Sequence, residues 1–176
     1  MTYIFRKLIF ILILSDVLTG CAGLPEGVTP VDGFETDRYL GKWYEIARLD
    51  HSFERGLSRV SAEYSLREDG GLKVVNRGFN FEKNEWDEAV GKAYFVGKSD
   101  IGALKVSFFG PFYGAYNILA LDKQAYQYSL VAGPNLSYLW ILARTPKLDQ
   151  SVIDALVNKA QTLGFSVNDL IYVLHD

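Results

Sequence analysis

Short segments in which apolar and polar residues alternate run through most of the chain. The clearest is RVSAEYSLR, residues 59–67, whose apolar positions are Val60, Ala62, Tyr64 and Leu66. Residues that alternate in this way point to opposite faces of a β-strand, so one face is apolar and the other faces water. Turn residues separate the segments, and this pattern predicts an all-β sandwich or barrel.

Eight segments of this kind are predicted as strands. They lie at residues 42–50, 59–67, 72–79, 87–97, 103–109, 114–122, 125–134 and 138–144. Tight turns such as EDGG join successive segments, which indicates an antiparallel meander. Such a meander can close into a barrel, which removes its edge strands, or split into two packed sheets. The alternation alone leaves both architectures open.

One amphipathic helix is predicted near the C-terminus, within residues 148–165. Its apolar stripe consists of Val152, Ile153, Leu156, Val157, Ala160 and Leu163. Asp149 is placed as an N-cap, and Gly164 stands where a left-handed residue often ends a helix. A single stripe predicts that the helix packs against the sheet. Residues 169–175 then predict a short last strand.

The N-terminus is predicted to be a secretory signal, residues 1–20. Arg6 and Lys7 precede the apolar run LIFILIL. The alternative is a membrane anchor helix, but spanning a bilayer takes about 20 apolar residues. Asp16 interrupts this run, and a charge at bilayer depth costs about 3 kcal/mol. A cleaved signal is therefore favoured.

The only cysteine, Cys21, closes the stretch LTGC directly after this signal. The stretch resembles the lipobox of bacterial lipoproteins. The resemblance implies that a diacylglyceryl thioether forms on Cys21, that cleavage precedes it and that its new amine is acylated. Ala22 following the cysteine implies sorting to the outer membrane. Residues 21–33, rich in Gly and Pro, are predicted as a lipidated tether, and residues 34–176 as the folded domain.

Composition and motifs exclude several classes of protein function. The formal net charge is −3, and no basic cluster suggests a nucleic-acid partner. The two histidines, His51 and His175, lack the spacing of a metal site, and no nucleophile elbow or phosphate loop is present. No cofactor or metal is expected, and a binding function is favoured over an enzymatic one.

Three further motifs occur in order along the domain. They are YLGKWYEIAR with Gly41 and Trp43, the stretch from Leu119 to Pro134 with Asp122 and Tyr126, and WILARTP with Arg144. Together they resemble the conserved regions of lipocalins, in particular bacterial outer-membrane lipocalins related to apolipoprotein D. The resemblance implies an eight-stranded antiparallel up-and-down barrel, with one C-terminal helix packed outside. It also implies that Trp43 closes one end, with Arg144 across its ring.

Alternation predicts which side chains face the barrel interior. The candidate ligand-binding residues are Val60, Ala62, Tyr64, Val74, Asn76, Val106, Phe108, Tyr116, Tyr138, Trp140 and Leu142. From the pattern alone these residues could equally fill the barrel. The family resemblance favours a pocket for fatty acids or lysophospholipids in a lipid-anchored protein of the outer membrane, facing the periplasm. It leaves other small hydrophobic ligands, a filled barrel that acts in assembly, and a homodimer open.

The stretch FFGPFYGAY, residues 108–116, raises a separate question. Its glycines and proline flank Phe112 and Tyr113, which are predicted to lie at the barrel mouth. Exposed aromatic residues there could contact a membrane, gate the ligand or bind a partner. Folding back onto the sheet is the equally simple alternative.

Overall fold

The computed structural model describes residues 27–175. A one-turn helix, α1 (Thr36–Tyr39), precedes the sheet. The strands that follow are β1 (Gly41–Arg48), β2 (Leu57–Leu66), β3 (Leu72–Asn80), β4 (Glu85–Phe95), β5 (Ala103–Ser107), β6 (Gly114–Leu121), β7 (Tyr128–Ala132) and β8 (Leu139–Ala143). Helix α2 (Gln150–Thr162), a 3-10 turn (Val167–Asp169) and the short β9 (Ile171–Tyr172) end the described chain.

The eight long strands form a closed antiparallel barrel. Each strand pairs with the next along the chain, and β1 pairs with β8, with Tyr44 opposite Ala143. β1 also pairs with β2 through residues 41–44, and β9 takes over beside Ala47 and Arg48. The predicted meander therefore closes, and the two-sheet alternative is wrong.

Helix α2 packs on the outside of the barrel. Ile153, Leu156 and Ala160 are buried on its inward face, against residues such as Leu130 and Ile141 of the sheet. Because β7 and β8 are covered outside by this helix, both of their faces are apolar rather than alternating. The predicted stripe and the Gly164 end, where φ is +90°, are confirmed.

A second apolar cluster fills part of the barrel interior and plugs one end. Phe34, Tyr39 and Trp43 lie at the end where β1 begins, and all three are buried. We call this the closed end. The opposite end, bounded by the loops β1–β2, β3–β4, β5–β6 and β7–β8, is called the open end.

Several details differ from the sequence prediction. The short α1 was not predicted, and the last strand covers two residues rather than seven. Asp149 occupies the N-cap position of α2, but its side chain makes no capping hydrogen bond. Val28, inside the predicted tether, is buried, and the Val31 amide donates to Ile118 O at 2.8 Å. These contacts show that part of the predicted tether packs on the barrel.

Two N-terminal predictions, the signal at residues 1–20 and lipidation of Cys21, fall outside the described residues. Between residues 27 and 175, no helix has both the length and the apolar character needed to cross a membrane.

Candidate ligand-binding site

The closed end of the barrel is held by Trp43 and Arg144. Trp43 is fully buried, and its indole Nε1 donates to Tyr39 O at 2.8 Å. The guanidinium carbon of Arg144 lies 4.0 Å from the centroid of the indole ring, which is the contact that the sequence motifs predict. This pair forms the base beneath the interior.

Gly41 and Asp122 shape the backbone around that base. Gly41 has a φ of +88°, and a Cβ there would lie 3.6 Å from Arg144 Nη1. A left-handed conformation favours glycine, which explains why position 41, two residues before Trp43, is a glycine. The Asp122 carboxylate accepts hydrogen bonds from the amides of Gln124, Ala125 and Gln127, and so fixes the β6–β7 loop.

Three tyrosines form a hydroxyl cluster above the base. The Tyr116 hydroxyl lies 2.8 Å from both the Tyr39 and the Tyr64 hydroxyls. Burial raises the pKa of Tyr39 to about 12 and those of Tyr64 and Tyr116 well above the usual range. All three remain neutral at physiological pH, so the floor of the interior is polar but uncharged.

The predicted ligand-binding residues lie mainly on the inner wall. Those in the interior cluster are Ala62, Tyr64, Val74, Val106, Phe108, Tyr116, Trp140 and Leu142. Asn76 stands opposite Ala62 in the ladder and shares its face, and Val60 is buried beside Gly78. Tyr138 lies instead at the open end, where its ring stacks on His51.

Exposure divides this wall into two levels. Near the closed end, Trp43, Ile118 and Val131 are completely buried. Higher on the wall, the inward-facing residues are only half-buried. These are Ala62, Asn76, Val106, Phe108, Tyr116 and Trp140. A side chain that faces the inside of a closed barrel and still meets solvent must line an internal space. The interior is therefore plugged at one end and accessible from the other.

A charged cluster lies on the wall beneath the open end. The Arg48 guanidinium donates to Glu45 Oε1 at 2.7 Å and to Glu54 O at 2.8 Å. Trp140 Nε1 donates to Glu54 Oε2 at 3.0 Å. Arg48 and both glutamates are buried, yet Arg48 Nε has no hydrogen-bond partner within the described part of the chain.

Both carboxyl groups of this cluster interact electrostatically with the one guanidinium of Arg48. Burial raises the pKa of Glu45 well above its usual range, and repulsion from Glu54 raises it further. Burial also raises the pKa of Glu54, against the hydrogen bonds from Trp140 and Glu45, which lower it. Arg48 is therefore the cation that offsets two buried acid groups, and it pairs directly with the Glu45 carboxyl.

His51 lies beside this cluster in an aromatic stack. Its ring is parallel to Phe53 and Tyr138, with centroid distances of 5.3 Å and 5.0 Å. Burial, and then the Arg48 cation, lower the pKa of His51 to about 4. The imidazole is thus neutral at physiological pH, and its buried Nε2 has no partner among residues 27–175.

Sequence reasoning missed Glu45, Arg48 and Glu54 as interior residues. Glu45 follows Trp43 by two positions, so alternation along β1 could have placed it on the inner face. Arg48 could not be found in this way, because the ladder with β8 shifts register between Glu45 and Ala47. Glu54 lies in a loop that folds inward, for which the sequence carries no periodic signal.

A groove of about 580 Å³ also exists on the outer face of β1–β4. Its lining includes Tyr44, Arg77, Trp86, Glu88 and His175. Arg77 and Glu88 form an ion pair at 2.6 Å across it, and the groove is open to solvent along its length. The candidate site is instead the barrel interior, because the half-buried side chains of its wall converge there.

Comparisons with known proteins agree with this geometry. Residues 34–175 match the family model described as a lipocalin-like domain. Outer membrane lipoprotein Blc of Vibrio cholerae is 56% identical over 167 residues, covering 95% of this chain and 98% of that protein. Apolipoprotein D of Macaca fascicularis is 34% identical, covering 86% of this chain and 87% of its own.

A solved structure supports the fold independently. Insecticyanin from the tobacco hornworm superposes with a TM-score of 0.71 at 19% identity, covering 88% of this chain and 87% of the other. A likeness at that identity concerns the fold alone. The family model and the two sequence relatives go further: the chain belongs to the lipocalin-like family.

Proposed function

We propose that this protein is a lipid-anchored lipoprotein of the outer membrane whose barrel binds fatty acids or lysophospholipids. In this role it stores or transports lipids for maintenance of the cell envelope and catalyses no reaction. The observation that carries the proposal is the half-exposed inner wall of a barrel that is closed at one end. Each methylene of an acyl chain buried there would contribute about 0.8 kcal/mol of hydrophobic free energy to binding.

The polar groups of the interior fit an amphiphile better than a pure hydrocarbon. Asn76 Oδ1 and Arg48 Nε are buried and have no hydrogen-bond partner within residues 27–175. A hydroxyl, ester or carboxylate of a bound lipid could satisfy the Arg48 donor, and a hydroxyl could satisfy the Asn76 acceptor. Unmet groups of this kind each cost about 1–3 kcal/mol, so pairing them favours binding.

The location rests on two supports. Relatives that are more than half identical carry the name outer membrane lipoprotein. In this chain, Cys21 ends the lipobox-like stretch LTGC, after the proposed signal of residues 1–20. Two acyl chains already suffice for stable anchoring, so three on Cys21 would hold the protein on the membrane. Wild type should incorporate a labelled fatty acid and a Cys21→Ser variant should not, and equal labelling of the two would contradict lipid anchoring at Cys21.

Ligand binding is tested by native mass spectrometry of residues 22–176, challenged with oleate and with a lysophospholipid. Discrete one-to-one adducts are expected with one or both lipids. An aromatic carrier would instead show adducts only with ring compounds, which serve as a parallel challenge. A bare protein mass at every concentration would mean that the barrel is filled, and that the protein acts through its surface.

A further inference from the structure

The loops at the open end carry exposed apolar side chains. One or two such residues stand on each of the four loops: Phe53, Phe81, Phe109 with Phe112, and Leu136. Phe109 is 81% exposed and Phe112 78%, which are unusually high fractions for phenylalanine in a folded domain. We call these five residues the apolar rim. Because they come from four separate loops, they surround the opening of the barrel.

Two of the four open-end loops differ in charge from the loops at the closed end. At the closed end, Arg67 and Asp69 form an ion pair in the β2–β3 loop, and Asp122 and Lys123 lie in the β6–β7 loop. At the open end, residues 107–114 and residues 133–138 contain no charged side chain, whereas the β1–β2 loop carries the exposed Asp50–Arg55 ion pair and the β3–β4 loop carries Glu82 and Lys83. Loops that only face water have no reason to exclude charge and expose phenylalanine, so the uncharged β5–β6 and β7–β8 loops suit an apolar environment.

We propose that the apolar rim docks the open end of the barrel on the surface of a lipid bilayer. Aromatic side chains are favoured at the boundary between headgroups and acyl chains, whereas charged ones are not. Lys92 and Lys105 lie just behind the rim, with their ammonium groups 6.0 Å and 5.1 Å from the Tyr113 ring. Docking would place these cations at the level of anionic headgroups.

A bilayer suits the rim better than a second protein does. The four loops that carry these side chains are spaced around the barrel opening, and a protein partner would have to fill every gap to reach the packing density of a stable interface. A fluid lipid surface admits separate side chains without such a match. The bilayer is therefore the occupant that this arrangement fits.

The docking proposal rests on the membrane location proposed above. The length of the N-terminal segment is compatible with it. Val28 is buried on the barrel, and Cys21 precedes it by seven residues. A fully extended chain spans about 3.4 Å per residue, so an acylated Cys21 keeps Val28 within about 25 Å of the membrane. At the resulting high effective concentration, weak insertion of the rim side chains adds to the hold of the lipid anchor.

Docking gives the barrel a direct exchange route. An acyl chain would pass between the bilayer and the half-exposed wall at Trp140 without crossing bulk water. Each methylene kept out of water saves about 0.8 kcal/mol along this route. This consequence depends on the lipid ligand, whereas docking itself does not.

The test uses the mature lipoprotein reconstituted into vesicles of phosphatidylethanolamine and phosphatidylglycerol, with brominated or plain acyl chains. Phe112→Trp reports from the apolar rim. Val96→Trp is the matched control, because Val96 is also exposed but lies at the closed end. After subtraction of wild-type emission, bromine should quench the Phe112→Trp indole at least twofold more than the control indole.

Three outcomes would overturn the proposal, and they are distinguishable. Equal quenching of the two indoles in protein that floats with the vesicles would exclude docking alone. Failure to float would remove the membrane location and docking together. A Phe112→Trp emission that is unquenched but shifts to the blue as protein concentration rises would show that a second copy covers the rim.

Discussion

The guanidinium of Arg144 covers the indole ring of Trp43 and is itself fixed by the backbone. It donates to Lys42 O at 2.9 Å through Nη1 and to Arg38 O at 2.6 Å through Nη2. A charged group held in this way ties the end of β8 to the start of β1 and to α1. The closed end therefore depends on one aromatic residue and one cation.

Trp43→Ala is expected to destabilise the protein strongly. The change leaves a cavity under Arg144 and removes the cation–π contact, with an expected loss of about 3–5 kcal/mol. For a domain of this size, about 1 kcal/mol corresponds to 2–4 °C, so the melting temperature should fall by about 6–20 °C. Trp86→Ala is the control, because Trp86 is 56% exposed on the outer face. Wild-type stability in Trp43→Ala would contradict the structural role of the pair.

Arg48→Met is expected to destabilise the open-end cluster. Methionine has a similar length but leaves Glu45 and Glu54 buried without their counter-charge, and breaking a buried ion pair such as Arg48–Glu45 costs about 3–5 kcal/mol. Urea unfolding at pH 7 measures the loss.

Arg55→Met provides the matched control for Arg48. Arg55 also pairs with an acid, Asp50, but the two side chains are 66% and 47% exposed. Exposed pairs contribute about 0–1 kcal/mol, so this variant should unfold near the wild-type midpoint. Equal effects of the two substitutions would show that the Arg48 cluster is not the buried, charge-balanced unit described above.

His51 makes stability depend on pH. Its pKa is about 4 in the folded protein, because burial and Arg48 disfavour the cation, against about 6.5 in an unfolded chain. Between these values the unfolded state binds the extra proton and the folded state does not. The free energy of unfolding is therefore unaffected by protonation of His51 above pH 6.5. It decreases as the pH falls toward 4, by up to about 3 kcal/mol.

The His51 contribution is isolated by comparison with His51→Phe. Phenylalanine keeps a ring between Phe53 and Tyr138 but has no proton to bind. The free energy of unfolding is measured in urea at several pH values from 7 to 4. Wild type should lose stability more steeply than the variant over this range. Parallel curves would mean that His51 titrates alike in both states.

Much of the architecture could be predicted because it follows local periodicity. Alternation in β2 and β3 places Ala62, Tyr64 and Val74 on one face, and the barrel closes around that face. The stripe of α2 likewise fixes which side meets the sheet. These patterns depend on residues two or four positions apart, so they can be identified from the sequence alone.

The charged cluster could not be predicted, for reasons that lie in long-range geometry. Arg48 faces inward only because β1 shifts register against β8, and Glu54 meets Trp140 across 86 positions of sequence. A charged residue in a strand ordinarily indicates a water-facing position. The exposure of the aromatic loop at residues 108–116 was equally undecided, because the stretch itself does not reveal which of its side chains pack.

Trp140 offers the most direct test of a lipid-binding interior. Its half-buried indole faces the cavity and donates to Glu54 at 3.0 Å, so it has both an apolar and a polar role. Trp140→Ala should weaken fatty-acid affinity about tenfold, which corresponds to about 1.4 kcal/mol. Trp140→Phe keeps an aromatic ring but loses the hydrogen bond and part of the indole volume, so it should bind fatty acid more tightly than the alanine variant and less tightly than wild type. Displacement of a fluorescent fatty acid measures both affinities, with Trp86→Ala on the outer face as the control. Unchanged affinity in Trp140→Ala would place the ligand away from this wall.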